Sequence, residues 1–129
     1  RYSSSAASDV YKRQIVRGTT SKEIVQMAKD AGANKVFFTS AAPPVRFPHV
    51  YGINMPNRDE LIAHDKTISE IADQLEIDSL IYQSVENLRK SIISDSGIQD
   101  LEMSCFTGSY VTGTVNQEYL NWVENEYKS

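Results

Sequence analysis

Five consecutive residues, Arg17-Gly18-Thr19-Thr20-Ser21, carry the chemistry best suited to holding an anion. Gly18 permits a tight turn and lets the backbone approach a ligand closely. Three hydroxyl side chains follow and can donate hydrogen bonds to phosphate oxygens. A helical pattern begins at once, so free N–H groups and the helix dipole point back toward the same place. Together these features describe a phosphate grip. The spacing alone leaves a second reading open, because a turn glycine followed by a capping threonine also starts helices that bind nothing. The chain contains no G-x-x-x-x-G-K-[ST] run, so the loop is not of the nucleoside-triphosphate type.

Other reactive residues are sparse. Cys105 is the single cysteine, which excludes an internal disulfide and a multi-cysteine metal site within one chain; its apolar flanks predict a buried structural thiol. His49 and His64 lie far apart, without a carboxylate pattern that would make them metal ligands, and neither is expected to act in catalysis. Arg46 follows the Lys35–Ser40 run and its Ala41-Ala42-Pro43-Pro44 exit. Ligands bind beyond the carboxyl ends of parallel strands, so Arg46 reads either as an anion contact or as a surface arginine packed on Phe47. Phe37, Phe38, Tyr82 and Phe106 read as core, and Glu124 and Glu126 as a solvated helix face.

The elements that must position these residues alternate between helix and strand, which predicts an α/β fold. Ile15 and Val16 read as the end of a strand entering the loop. Ser21 to Ala31 reads as a helix with Thr20 and Glu23 as a capping box, an apolar stripe of Ile24, Val25, Met27, Ala28 and Ala31, and Gly32 as its stop. Lys35–Ser40 and Ser79–Gln83 read as short buried strands. Val50 to Ile53 reads as a short extended piece and Asp59 to His64 as a short helix. A second capping box, Thr67 and Glu70, opens a helix with Ile68, Ile71, Ala72 and Leu75 on one side. Ser84 caps another, carrying Val85, Leu88 and Ile92, with a polar break at Ser94–Gly97. Leu101 to Phe106 reads as extended, with a turn at Thr107-Gly108. Asn116 to Tyr127 closes as an acidic helix with Leu120, Val123 and Tyr127 aligned.

With 129 residues, 40% of them hydrophobic and 23% charged, the chain suits one globular domain. The net charge of −4 is spread without a basic stripe, which argues against nucleic acid as a partner. No apolar run approaches the roughly 18 residues of a membrane span, and no secretory signal order is present. The expectation is a cytoplasmic protein without a membrane partner. Residues 1–14, RYSSSAASDVYKRQ, show no apolar period. They read as a non-native segment, a sequence artefact of the kind left by translated adapters, or as a native disordered tail. The fold is expected to occupy residues 15–129.

From Ile15 onward the runs IVRGTTSKEIVQMAKDAGANKVFFTSAAPPVRFPHVYGINMP, DELIAH, LIYQSVENL and CFTGSYVT resemble the amidophosphoribosyltransferases. The resemblance implies part of a type I phosphoribosyltransferase sheet, Rossmann-like with flanking helices and lacking its N-terminal side. It also implies a glycosyltransferase of purine biosynthesis that makes 5-phosphoribosylamine from 5-phosphoribosyl 1-pyrophosphate and glutamine-derived ammonia. By position, Arg17, Gly18, Thr19, Thr20 and Ser21 match the family's grip on the substrate 5′-phosphate.

The family sets an acid pair directly before the counterpart of Ile15, for the ribose hydroxyls and magnesium. Here Lys12, Arg13 and Gln14 stand in that place, and Asp9 is out of register. No catalytic residue and no metal ligand is therefore expected in this chain, although Mg2+ is the parent's cofactor. Some members hold an iron–sulfur cluster through cysteines, one near His49-Val50 and a pair upstream of Cys105; this chain has none there, so no cluster is expected. The resemblance further implies purine nucleotides as regulators, a separate glutaminase domain and a homo-oligomer. Two rival readings stand beside the enzyme. One is a non-catalytic phosphoribosyl- or nucleotide-binding module; the other is an inactive fragment exposing a sheet edge and an apolar face.

Overall fold

Two short runs rich in aromatic and β-branched residues pair side by side and set the frame. The computed structural model describes residues 15–52 and 57–128. The tail at 1–14, with Lys12, Arg13 and Gln14, and Ile53 of the extended piece lie outside the described residues. Strand β1, Phe37–Ser40, runs parallel to β2, Ser79–Tyr82, with Phe38 opposite Leu80 and Ser40 opposite Tyr82. Between them the chain passes through a 3-10 turn at Arg58–Glu60 and helix α2, Ile68–Leu75; helix α1, Thr19–Asp30, precedes β1. The connection β1–α2–β2 is the crossover a parallel pair requires.

The core sits on one face of this sheet. Phe38 and Leu80 point into it, joined by Val25 of α1, Ile71 and Leu75 of α2, and Ile15, Val36, Ile62, Ala63 and Ile77 from the connecting segments. The opposite face is open among the described residues: Phe37 is 60% and Ile81 59% exposed. Side chains alternate across a strand, so Phe37 and Phe38 cannot share one face. Phe37, read from sequence as core, is therefore on the open side, and the predicted apolar face is present. Tyr82 and Phe106 are half-buried.

Helix boundaries follow local chemistry. The second capping box forms as read: Thr67 Oγ1 accepts from the Glu70 N–H at 3.2 Å, and the Glu70 carboxylate accepts from the Thr67 N–H at 2.7 Å. Ser84 accepts from the Asn87 N–H at 3.1 Å, opening α3, Val85–Ser96. α3 continues through the expected break at Ser94 and stops at Gly97, whose φ is +68°.

The first capping box does not form. α1 already begins at Thr19, with the Lys22 N–H bonded to the Gly18 carbonyl at 2.9 Å, so Thr20 lies inside the helix instead of ahead of it. Met27, placed in the apolar stripe, is exposed, as is Ala31. Val16 is not in a strand among the described residues, and Asp59–His64 gives only the 3-10 turn and a further turn.

The stretch read as extended before Thr107 contains a one-turn helix, α4, Ser104–Thr107. The Glu102 carboxylate accepts from the Ser104 N–H at 2.9 Å at its start, and a turn started in this way competes with extension. Helix α5, Gln117–Lys128, closes the chain with Leu120 buried.

Thr67→Ala removes one half of the α2 capping box while exposing nothing apolar. It is expected to lower stability by about 1 kcal/mol, read as a lower urea midpoint at unchanged slope; an unchanged midpoint would show that α2 needs no cap.

Candidate functional site

The anion-binding chemistry collects where the chain turns into α1. Gly18 is the N-cap, at φ +82°, with no side-chain cap. The ladder starts only with Lys22, so the N–H groups of Thr19, Thr20 and Ser21 precede it and leave the helix at its positive end. Thr19 and Thr20 are exposed and Ser21 is buried. A carboxylate or phosphate set against this turn would meet backbone donors and hydroxyls together.

The loop is backed by the 3-10 turn and the residues after it. The Ile62 N–H donates to the Val16 carbonyl at 2.9 Å. A Cβ added at Gly18 would collide with the Ile62 Cδ1 atom. Arg17 Nε donates to Glu60 Oε2 at 2.8 Å, an exposed pair of little energetic weight. The same turn is tied to α5: Arg58 Nε meets Glu124 Oε1 at 2.6 Å, its Nη2 meets Glu124 Oε2 at 2.9 Å and Asn121 Oδ1 at 2.7 Å. Arg58 and Glu124 side chains are only 16% and 15% exposed. Glu124, read as solvated, is thus one half of a forked ion pair, and the Arg58 hydrogen bonds hold its carboxyl below the usual range.

The remaining candidates serve the scaffold. Arg46 Nη1 donates to the carbonyls of Ala63 at 2.9 Å and Lys66 at 2.8 Å. It is half-buried and tied to two main-chain carbonyls, not the surface arginine that the sequence offered as one reading. His49 and Cys105 each make a contact across the seam between residues 46–51 and 102–112, but not with one another. His49 Nε2 lies 3.1 Å from Glu102 Oε2, and the Cys105 carbonyl accepts from the Arg46 and Phe47 N–H groups at 3.0 and 3.1 Å. Burial raises the Cys105 thiol, with Glu102 adding to it, so its reactive thiolate is disfavoured. Burial pushes Tyr110 up to about 12, keeping its hydroxyl a donor to the Pro48 carbonyl at 2.7 Å. His64 Nε2 pairs with Asp65 at 3.2 Å. Among the described residues no group of three or more His, Cys, Asp and Glu is placed to hold a metal ion.

No protein-family model matches the chain. The amidophosphoribosyltransferase of Haemophilus influenzae is 49% identical over 113 residues, which are 87% of this chain and 22% of that protein. The Escherichia coli enzyme of the same name is 48% identical over 111 residues, 85% of this chain and 22% of that one. The Saccharomyces cerevisiae enzyme is 47% identical over 115 residues, 89% and 22%. The chain belongs to the amidophosphoribosyltransferase family. It spans 22% of the length of these curated relatives. Two solved structures agree, each with a TM-score of 0.67 at 39% identity over 76% of this chain and 22% of the other. One is the glutamine phosphoribosylpyrophosphate amidotransferase of Bacillus subtilis complexed with ADP and GMP, the other an allosteric regulatory enzyme of purine biosynthesis. The fold is that of the type I phosphoribosyltransferases, present here in part.

The run DELIAH carried the resemblance, yet nothing in its letters marked Glu60 and Ile62 as the wall behind the Gly18 turn. Arg58 and Glu124 are 66 positions apart in the chain, and no spacing rule links them.

Two outcomes follow. Gly18→Ala places a side chain at positive φ and against Ile62, and is expected to cost about 1–3 kcal/mol of stability, seen as a lower thermal midpoint. Glu124, depressed in the fold, contributes stability above the ordinary carboxylate pKa of about 4.3 and loses it as pH falls through its lower folded value. Glu124→Gln should therefore show a smaller drop in urea midpoint between neutral pH and acid than the unaltered chain; an equal drop would remove Glu124 from the acid response.

Proposed function

We propose that this chain supplies the 5′-phosphate grip of an amidophosphoribosyltransferase. In that reaction glutamine-derived ammonia displaces pyrophosphate from C1 of 5-phosphoribosyl 1-pyrophosphate, as the first step of purine synthesis. The observation that carries the reading is the start of α1: Gly18 at φ +82°, with the Thr19, Thr20 and Ser21 N–H groups ahead of the first intrahelical bond. In this reading the N–H groups and hydroxyls of Thr19–Ser21 bind the phosphate. Gly18 lets it approach, and Arg17, paired with Glu60, lies at the rim. Fixing the phosphate orients the ribose so that C1 faces the incoming ammonia, an effect of placement more than of bonding.

Magnesium fits poorly here. Glu60, the carboxylate that reaches the loop, is bonded to Arg17, and no carboxylate cluster stands nearby among the described residues. Transfer is assigned to the longer protein, together with its glutaminase domain, its magnesium, a homo-oligomeric assembly and control by purine nucleotides. The ADP and GMP carried by the Bacillus subtilis relative support that last point. No helix among the described residues is long and apolar enough to cross a membrane; the likeness to enzymes of purine biosynthesis supports a cytoplasmic setting. Residues 15–129 form the family's portion, and 1–14 a segment foreign to it. The presence of Lys12-Arg13-Gln14 where the family has acids favours a second reading, in which this chain binds phosphoribosyl groups or nucleotides without turning them over.

One experiment tests the phosphate grip that both readings share. Ribose 5-phosphate is titrated into the chain while the amide resonances of Gly18–Ser21 are followed. Pyrophosphate release from 5-phosphoribosyl 1-pyrophosphate with ammonia is then assayed. Selective movement of those amides without pyrophosphate release is the expected result. Release would make the chain catalytic by itself, and amides that stay still would remove the phosphate grip.

A further inference from the structure

The turn at Arg58–Glu60 has α5 on one side and the phosphate loop on the other. Within five residues the chain makes the forked Arg58–Glu124 pair, the Glu60–Arg17 contact and the Ile62–Val16 backbone bond. Ile62 also fills the space beside Gly18. The two sides differ in strength. The Glu60–Arg17 pair is about half exposed at both partners, where ion pairs contribute little. Arg58 is mostly enclosed, gives three side-chain hydrogen bonds to α5 and keeps its guanidinium plane fixed against two carboxylate oxygens. A lysine there would keep the charge and lose the fork. On the α5 side, Leu120 is the buried apolar residue among the described side chains, so much of that helix's attachment falls to Arg58.

We propose that Arg58 is a positioning residue for the loop. By docking on Glu124 and Asn121 of α5 it fixes the Arg58–Ile62 turn, and that turn holds Gly18 and the N–H groups of Thr19–Ser21 in place. The role rests on reading Arg17–Ser21 as a phosphate grip. It makes the C-terminal helix part of the site without touching the ligand.

The test uses the 129-residue chain and the variants Arg58→Lys, Glu124→Gln and Ser84→Ala. The last removes the cap of α3, away from the loop, and serves as the measure of stability loss alone. Amide resonances of Gly18–Ser21 are recorded without ligand and during titration with ribose 5-phosphate. Arg58→Lys and Glu124→Gln are expected to move the ligand-free loop amides and weaken ribose 5-phosphate binding by about two- to tenfold. Ser84→Ala should lower the melting temperature and leave both unchanged. Loop amides that stay in place in Arg58→Lys and Glu124→Gln, or move equally in Ser84→Ala, overturn the proposal. If the unaltered chain ignores ribose 5-phosphate, the phosphate grip itself fails, and the ligand-free shifts still decide whether α5 positions the loop.

Discussion

The closeness of Gly18 to Ile62 governs the start of α1. Without a Cβ, Gly18 lies directly against Ile62 of the wall formed after the 3-10 turn and adopts the left-handed conformation that begins the helix one residue later. Helix α1 then carries Val25 into the core, where it joins Ile71 and Leu75 from α2. The same backbone placement that suits an anion also sets the angle at which α1 meets the sheet. Loop and packing share one constraint, which is why the loop cannot be redrawn without moving the helix.

Periodicity and capping chemistry were enough to find most of the elements. Thr67 with Glu70, and Ser84, announced the starts of α2 and α3, because each uses a side chain to satisfy a backbone donor that is otherwise left over. Both strands were legible from their apolar runs and the breakers around them. What failed were positions where two local rules compete. Thr20 and Glu23 had capping-box spacing, but Gly18 started the helix earlier. The stretch around Cys105 had strand-like apolar letters, but Glu102 captured the Ser104 N–H and turned the chain.

The loop itself was legible in the sequence as a pattern of residue types. Its supports were not. Glu60, Ile62, Arg58 and Glu124 reach it, or reach one another, across tens of residues, and such contacts exist only after folding. Phe37 shows the complementary limit. Its hydrophobicity marked it as interior, while the strand's alternation turned it outward. A parallel sheet is normally covered on both faces, so the exposure of Phe37 and Ile81 marks the side on which the described residues offer no cover.

Beside the His49–Glu102 pair, the seam between residues 46–51 and 102–112 uses main-chain acceptors. Cys105 contributes its carbonyl to the Arg46 and Phe47 N–H groups, and Pro48 contributes its carbonyl to Tyr110. A peptide oxygen is the same whichever amino acid bears it. Through evolutionary drift, then, position 105 is free to exchange its sulfur for another side chain of similar bulk while the closure stays intact. Tyr110, whose hydroxyl makes its bond through the side chain, has no such freedom.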